Sequence, residues 1–165
     1  MAITTRTGNP AIHSRYMIEF SSSDFSPLAE FPLLWRWTQA THHLLTSAIM
    51  STLAPLASTA AVRVAREASR KCTARGITER ELSFRAEAAI ATAVGSRLDA
   101  LAIPRDERIV LSWNSDVALV TRWDTFVDHW DAFCYPSSDD VTVMPLRGGW
   151  ALCYYHDELM EFSRT

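Results

Sequence analysis

Residues 141–146 and 150–155 flank Arg147-Gly148-Gly149, and this arrangement constrains the fold more than any other stretch of the chain. Two adjacent glycines supply the positive φ angles of a tight antiparallel turn, and the runs beside them are rich in β-branched and aromatic residues. Val141, Val143 and Pro145 alternate with Thr142 and Met144, and Ala151, Cys153 and Tyr155 alternate with Trp150, Leu152 and Tyr154. Alternation of this kind gives a strand two distinct faces, so the C-terminal part carries a β-hairpin. His156-Asp157-Glu158 reads as a second turn, with residues 159–162 as a further strand. Upstream, residues 108–113 read as a strand followed by an Asn114-Ser115-Asp116 turn. Residues 117–120 fit either a second strand or the approach to a helix.

The N-terminal half follows a different period. From Pro32, a residue suited to a first helical turn, Leu34, Trp35, Thr38, Leu45, Ile49 and Leu53 recur at helical spacing until Pro55. Ser58 is placed to cap a second helix running to about Arg75, with Gly76 as its stop. Thr78-Glu79-Arg80-Glu81 matches a capping box, and Leu82, Ala86, Ala89, Ile90, Ala93, Leu98 and Leu101 continue it as one apolar stripe. A shorter helix is expected from Thr121 to Tyr135-Pro136, with Trp123, Phe126, Val127, Trp130 and Phe133 on its apolar side. Residues 14–20 read as a short strand, and residues 1–13 as a loose arm. The expected class is therefore α+β: N-terminal helices packed on a small antiparallel sheet with one inserted helix and a C-terminal β-hairpin.

A chain of 165 residues fits a single domain (1–165) able to bury a core without staples. Its charge is unevenly spread. Residues 1–106 carry 12 basic and 9 acidic side chains, whereas the sheet-rich residues 107–165 carry 4 and 10. An acidic half repels nucleic acid and speeds encounter with a basic partner. No secretory signal is evident at the start, and no apolar run is long enough for a bilayer. Cys72, Cys134 and Cys153 are odd in number and widely spaced, which suits reduced buried thiols in a cytoplasm.

The chemistry-bearing residues form no catalytic motif. Neighbouring His42 and His43 point apart on a helix and have no acid one turn away, so a metal role is not assigned. Arg63, Arg66 and Arg70 share a helix face, which suits a phosphate or an acidic partner but is better read as a solvated face or one lying against the acidic C-terminal half. Cys134 with His129 or His156 is the one nucleophile–base pair available to an enzyme reading, and His156, Asp157, Glu158 and His129 are the one metal set. Neither has a supporting motif, so no catalytic residue, metal ligand or cofactor is expected.

The stretch Trp130-Asp131-Ala132-Phe133-Cys134-Tyr135-Pro136-Ser137-Ser138-Asp139-Asp140-Val141, with Trp123, Phe126, Pro145, Trp150, Tyr154, His156 and Glu158, resembles small bacterial immunity proteins of polymorphic or secreted toxin systems. The resemblance covers the last third of the chain. It implies a non-enzymatic protein that binds a cognate toxin and occludes its active site, here with acidic turns entering a basic cleft. The expected partner contacts are Tyr135, Asp139, Asp140, His156, Asp157 and Glu158. The tryptophans and phenylalanines are expected mainly in the core. A small enzyme and a cytoplasmic adaptor or structural protein stand as the alternatives.

Overall fold

The structure, a computed structural model, describes residues 17–164 apart from positions 43, 74, 75 and 78. Two 3₁₀ turns, Ser22–Asp24 and Leu28–Glu30, precede α1 (Trp35–Thr38) and α2 (Ser47–Met50). Then come β1 (Ala54–Pro55), α3 (Ser58–Lys71), β2 (Cys72–Thr73) and β3 (Gly76–Ile77). β4 (Leu82–Arg85), a 3₁₀ turn at Ala88–Ile90 and α4 (Ala91–Asp99) lead to β5 (Arg108–Ser112) and β6 (Ala118–Arg122). The short helices α5 (Trp123–Asp128) and α6 (Trp130–Phe133) connect to β7 (Val141–Pro145), β8 (Trp150–Tyr155) and β9 (Leu159–Arg164).

Seven strands form one antiparallel sheet in the order β1-β6-β5-β7-β8-β9-β4, and β2 and β3 make a separate two-stranded ladder. The β7–β8 hairpin pairs Val141 with Tyr154 and Val143 with Leu152, and Gly148 and Gly149 take the positive φ values of 71° and 102° that its turn requires. The mixed helix-and-sheet class agrees with the sequence, but the sheet is larger than expected because two strands within the helical half, β1 and β4, add to its edges.

Each face of the sheet is covered. Ala60, Ala61, Val64 and Ala68 of α3 lie over Val110, Val120, Met144 and Ala151. On the opposite face Val94 and Leu98 of α4, Trp123 and Phe126 of α5, Phe133 of α6 and Trp37 of α1 cover Ile109, Leu111, Leu119, Leu152 and Phe162. Burial of each large apolar side chain contributes about 1.5–3 kcal/mol, so this second cluster dominates the core. No helix among the described residues is long and apolar enough to cross a membrane.

The helical expectations need correction in three places. Residues 32–54 are not one helix: α1 ends after Thr38, and Thr46 restarts the chain by accepting the Ile49 N–H at 3.3 Å as cap of α2. Residues 82–85 are a strand, paired from Leu82↔Phe162 to Arg85↔Leu159. The Leu82-Ser83-Phe84-Arg85-Ala86 run fits period two as well as the helical stripe, and Phe84, absent from that stripe, is buried at 4% exposure while Leu82 stays 37% exposed. Helix resumes only at Ala91. Thr121 and Arg122 belong to β6 rather than a helix cap, and the inserted helix breaks at His129. α3 takes Ser58 as its first residue, with Ala57 rather than Ser58 as N-cap, and ends at Lys71 rather than about Arg75, while Gly76 lies in β3. The 1–13 arm, Arg75, Thr78 and His43 lie outside the described residues; residues 17–20 form no strand.

The cysteine expectation also fails. Cys72 and Cys153 form a disulfide with a Cα–Cα distance of 5.9 Å, leaving Cys134 as the free buried thiol. A separation of 81 residues hides this pairing from spacing rules; it arises because Cys153 faces α3, whose last turn delivers Cys72 above it. Beside it, Glu161 of β9 holds the β2–β3 ladder to the sheet. Its carboxylate accepts from the Ile77 N–H at 3.0 Å and from Arg80 at 2.5 Å, and Tyr155 donates to it at 3.3 Å. Burial works to raise the pKa of this carboxyl, but those bonds hold it below the ordinary glutamate value.

Candidate protein-binding surface

Two turns at one end of the sheet, residues 134–140 before β7 and residues 156–158 after β8, are joined by backbone. The Ser137 N–H donates to the His156 carbonyl at 2.8 Å, and the His156 N–H donates to Asp140 Oδ1 at 3.0 Å. Positive φ values of 65° at Ser137 and 63° at Glu158 let both loops reverse tightly. Hairpin pairing of β7 with β8 therefore collects Tyr135, Asp139, Asp140, His156, Asp157 and Glu158 into one region, as their expected turn positions require.

Their roles within that region differ. Asp139 is not an exposed loop acid. It is 6% exposed and receives Arg36 Nη1 at 2.5 Å, Arg36 Nη2 at 2.9 Å, the Tyr135 N–H at 3.0 Å and the Ser138 hydroxyl at 3.1 Å. A fork of two guanidinium bonds plus a backbone donor satisfies a buried carboxylate, which is why this position takes aspartate. Asp140 is exposed and also meets His156 Nδ1 at 2.9 Å. That hydrogen bond, aided by the charges of Asp140 and Asp157, raises the His156 pKa above its ordinary 6.5. Asp157 is exposed while its carbonyl accepts from Arg85, and the Glu158 carbonyl accepts from the Ala86 N–H at 2.8 Å.

Three residues that the sequence reading did not select complete the surface. Arg36, 7% exposed, lies 4.5 Å from the Tyr135 ring centre and 5.5 Å from that of Trp35. Cation–π contact on both sides locks the guanidinium while Asp139 neutralises it. His42 bridges the rings, 4.8 Å from Trp35 and 5.9 Å from Tyr135. Trp35 remains 40% exposed, and Leu44 nearby in the chain is also exposed. The platform is fixed from below by Trp37, whose Nε1 donates to the Ala132 carbonyl at 2.9 Å and whose ring stacks 5.5 Å from Phe31. One signal was present in the sequence: Trp35-Arg36-Trp37 sets a lone cation between two indoles in an otherwise apolar run.

Burial, with the negative charges of Asp139 and Asp131, pushes the Cys134 thiol well above its ordinary value, away from the thiolate that a nucleophile needs. His129 ends α5 while Cys134 follows α6, so one helix does not carry both. Among the described residues no group of three or more His, Cys, Asp and Glu is arranged to hold a metal ion. Arg63 and Arg70 of the basic helix face pair with Asp24 and Glu67, each at 3.0 Å. No family model, curated protein or solved structure matches the chain, and the geometry of this surface carries the functional reading.

Proposed function

We propose that this chain is a non-enzymatic immunity protein that binds a cognate bacterial toxin domain and neutralises it by occlusion. One observation carries the reading: a partly exposed Trp35–His42–Tyr135 platform, braced by a buried Arg36–Asp139 pair, stands beside the carboxylates of Asp140, Asp157 and Glu158. Rigid aromatic anchors with little rotamer freedom to lose are what interface hot spots use, and an acidic rim selects a basic partner face. Asp139 serves this surface from within, as the counter-ion of Arg36, and the rim acids make the charge contact. The resemblance of residues 123–158 to immunity proteins supplies the partner class.

The reading expects a neighbouring gene for a toxin domain, and the test is co-expression with that domain. Restored growth and a co-purifying complex are expected, and Trp35→Ala should weaken that complex by about thirtyfold or more, the equivalent of a hot spot of about 2 kcal/mol. Asp140→Lys with Asp157→Lys should slow association and flatten its salt dependence. Full toxicity with no complex refutes the reading.

A further inference from the structure

We infer that the Cys72–Cys153 disulfide is a reducible latch, a site of exchange with a small dithiol at Cys72, whose opening releases the β2–β3 ladder while the rest of the fold persists. The ladder is two residue pairs long, Cys72↔Ile77 and Thr73↔Gly76, and Ile77 is its one buried side chain. A two-stranded hairpin of this kind is marginal by itself, so it must be held from outside. Two anchors hold it, and they sit side by side. Cys153 and Glu161 are register partners on β8 and β9, and both meet the ladder. Cys153 takes Cys72 covalently, and the Glu161 carboxylate takes the Ile77 N–H at 3.0 Å. Gly76 permits that approach, since a Cβ there would meet Glu161 Oε2 at 2.9 Å.

The two sulfurs differ in access. Cys153 is 1% exposed, whereas Cys72 is half-buried and lines an open groove of about 430 Å³ beside α3. A thiolate of the dithiol therefore attacks Cys72 Sγ. A bond forms between that sulfur and the reductant, the Cys72–Cys153 bond breaks, and Cys153 leaves as a thiolate that takes up a proton. The second thiol of the reductant then displaces Cys72 and closes a cyclic disulfide, so an electron pair and both thiol protons pass from reductant to protein. Cys72 itself stays on the end of α3, because its N–H donates to the Ala68 carbonyl, and the chain beyond it turns about that point. With the covalent anchor gone, the ladder is held by hydrogen bonds that water replaces, which places it among the segments that open locally. Opening uncovers Ile77 and, on the sheet, Cys153 and Tyr155, so the oxidised and reduced forms present different surfaces.

The experiment uses the full chain without any partner, so its outcome is separate from the toxin-binding reading. The oxidised protein is treated with dithiothreitol under native conditions, desalted and pulsed with iodoacetamide, and the labelled cysteines are followed by peptide mass spectrometry. Cys134, 2% exposed and outside the disulfide, is the internal reference for global unfolding. Cys153 should be alkylated at least about tenfold faster than Cys134, because a local opening costs less than unfolding the whole domain. Amide exchange by NMR supplies the second measurement. On reduction, the rate at Ile77 relative to that at Val110 in the central strand β5 should rise about tenfold, with little dependence on added urea. Simultaneous labelling of Cys153 and Cys134, an unchanged Ile77 to Val110 ratio, or a bond that yields to dithiothreitol only in urea overturns the proposal.

Discussion

Replacing Asp139 by alanine is the sharpest test of how the surface is held. The carboxylate accepts four hydrogen bonds, two of them from Arg36, and both partners are almost fully buried. Removing it strands a buried guanidinium, which costs about 3–5 kcal/mol where the charge stays out of water. Against a total stability of about 5–15 kcal/mol for a domain, that is a third or more in many cases. At about 2–4 °C per kcal/mol for chains of this size, melting should fall by roughly 6–20 °C. The double variant Arg36→Met with Asp139→Ala should recover most of the loss, because no charge is left uncompensated and a methionine stem refills the slot between Trp35 and Tyr135. Urea unfolding of wild type, both single variants and the double variant closes the cycle. A loss below about 1 kcal/mol for Asp139→Ala would mean that Arg36 reaches water, as surface pairs do, and the argument for a braced platform would fail.

Three further outcomes follow from the same geometry. Cys72→Ser should lower stability by up to about 4–5 kcal/mol, since the cross-link closes a loop spanning 81 residues; urea unfolding with and without a reducing agent measures it, and wild type should converge on the variant when reduced. His156 has a raised pKa in the folded state, so its contribution is complete below its unfolded value of 6.5 and is lost as pH rises through the higher folded value; His156→Gln should flatten the stability profile in that window, and an unchanged slope would remove the Asp140 pairing as its cause. Gly76→Ala should destabilise measurably by thermal melting, because φ is +104° and the added Cβ would sit 2.9 Å from Glu161 Oε2, displacing the carboxylate that holds the Ile77 N–H.

Local signals were legible where one period and one turn chemistry agreed. The Gly148-Gly149 hairpin, the β5 strand, the α3 helix and the strand after His156 all lie close to where their residues put them. The six expected contact residues do share one region, because hairpin pairing carries turn positions with it. Burial was not legible in the same way. Asp139 and Asp140 are adjacent and chemically identical, yet one is a buried counter-ion and the other is exposed to solvent. Arg36, 103 residues away in sequence, supplies the buried counter-charge that Asp140 lacks.

The antiparallel C-terminal half is written into local sequence, because glycine conformations and alternating side chains act within a few residues. Tertiary structure alone decided that residues 82–85 pair with β9 rather than continue a helix, since both periods fit them and only the open edge of β9 discriminates. It likewise decided that Cys72 meets Cys153 and that Arg36 meets Asp139. Those contacts depend on where α3 and α1 lie over the sheet, and that placement is set by the summed burial of two apolar clusters drawn from nearly the whole chain.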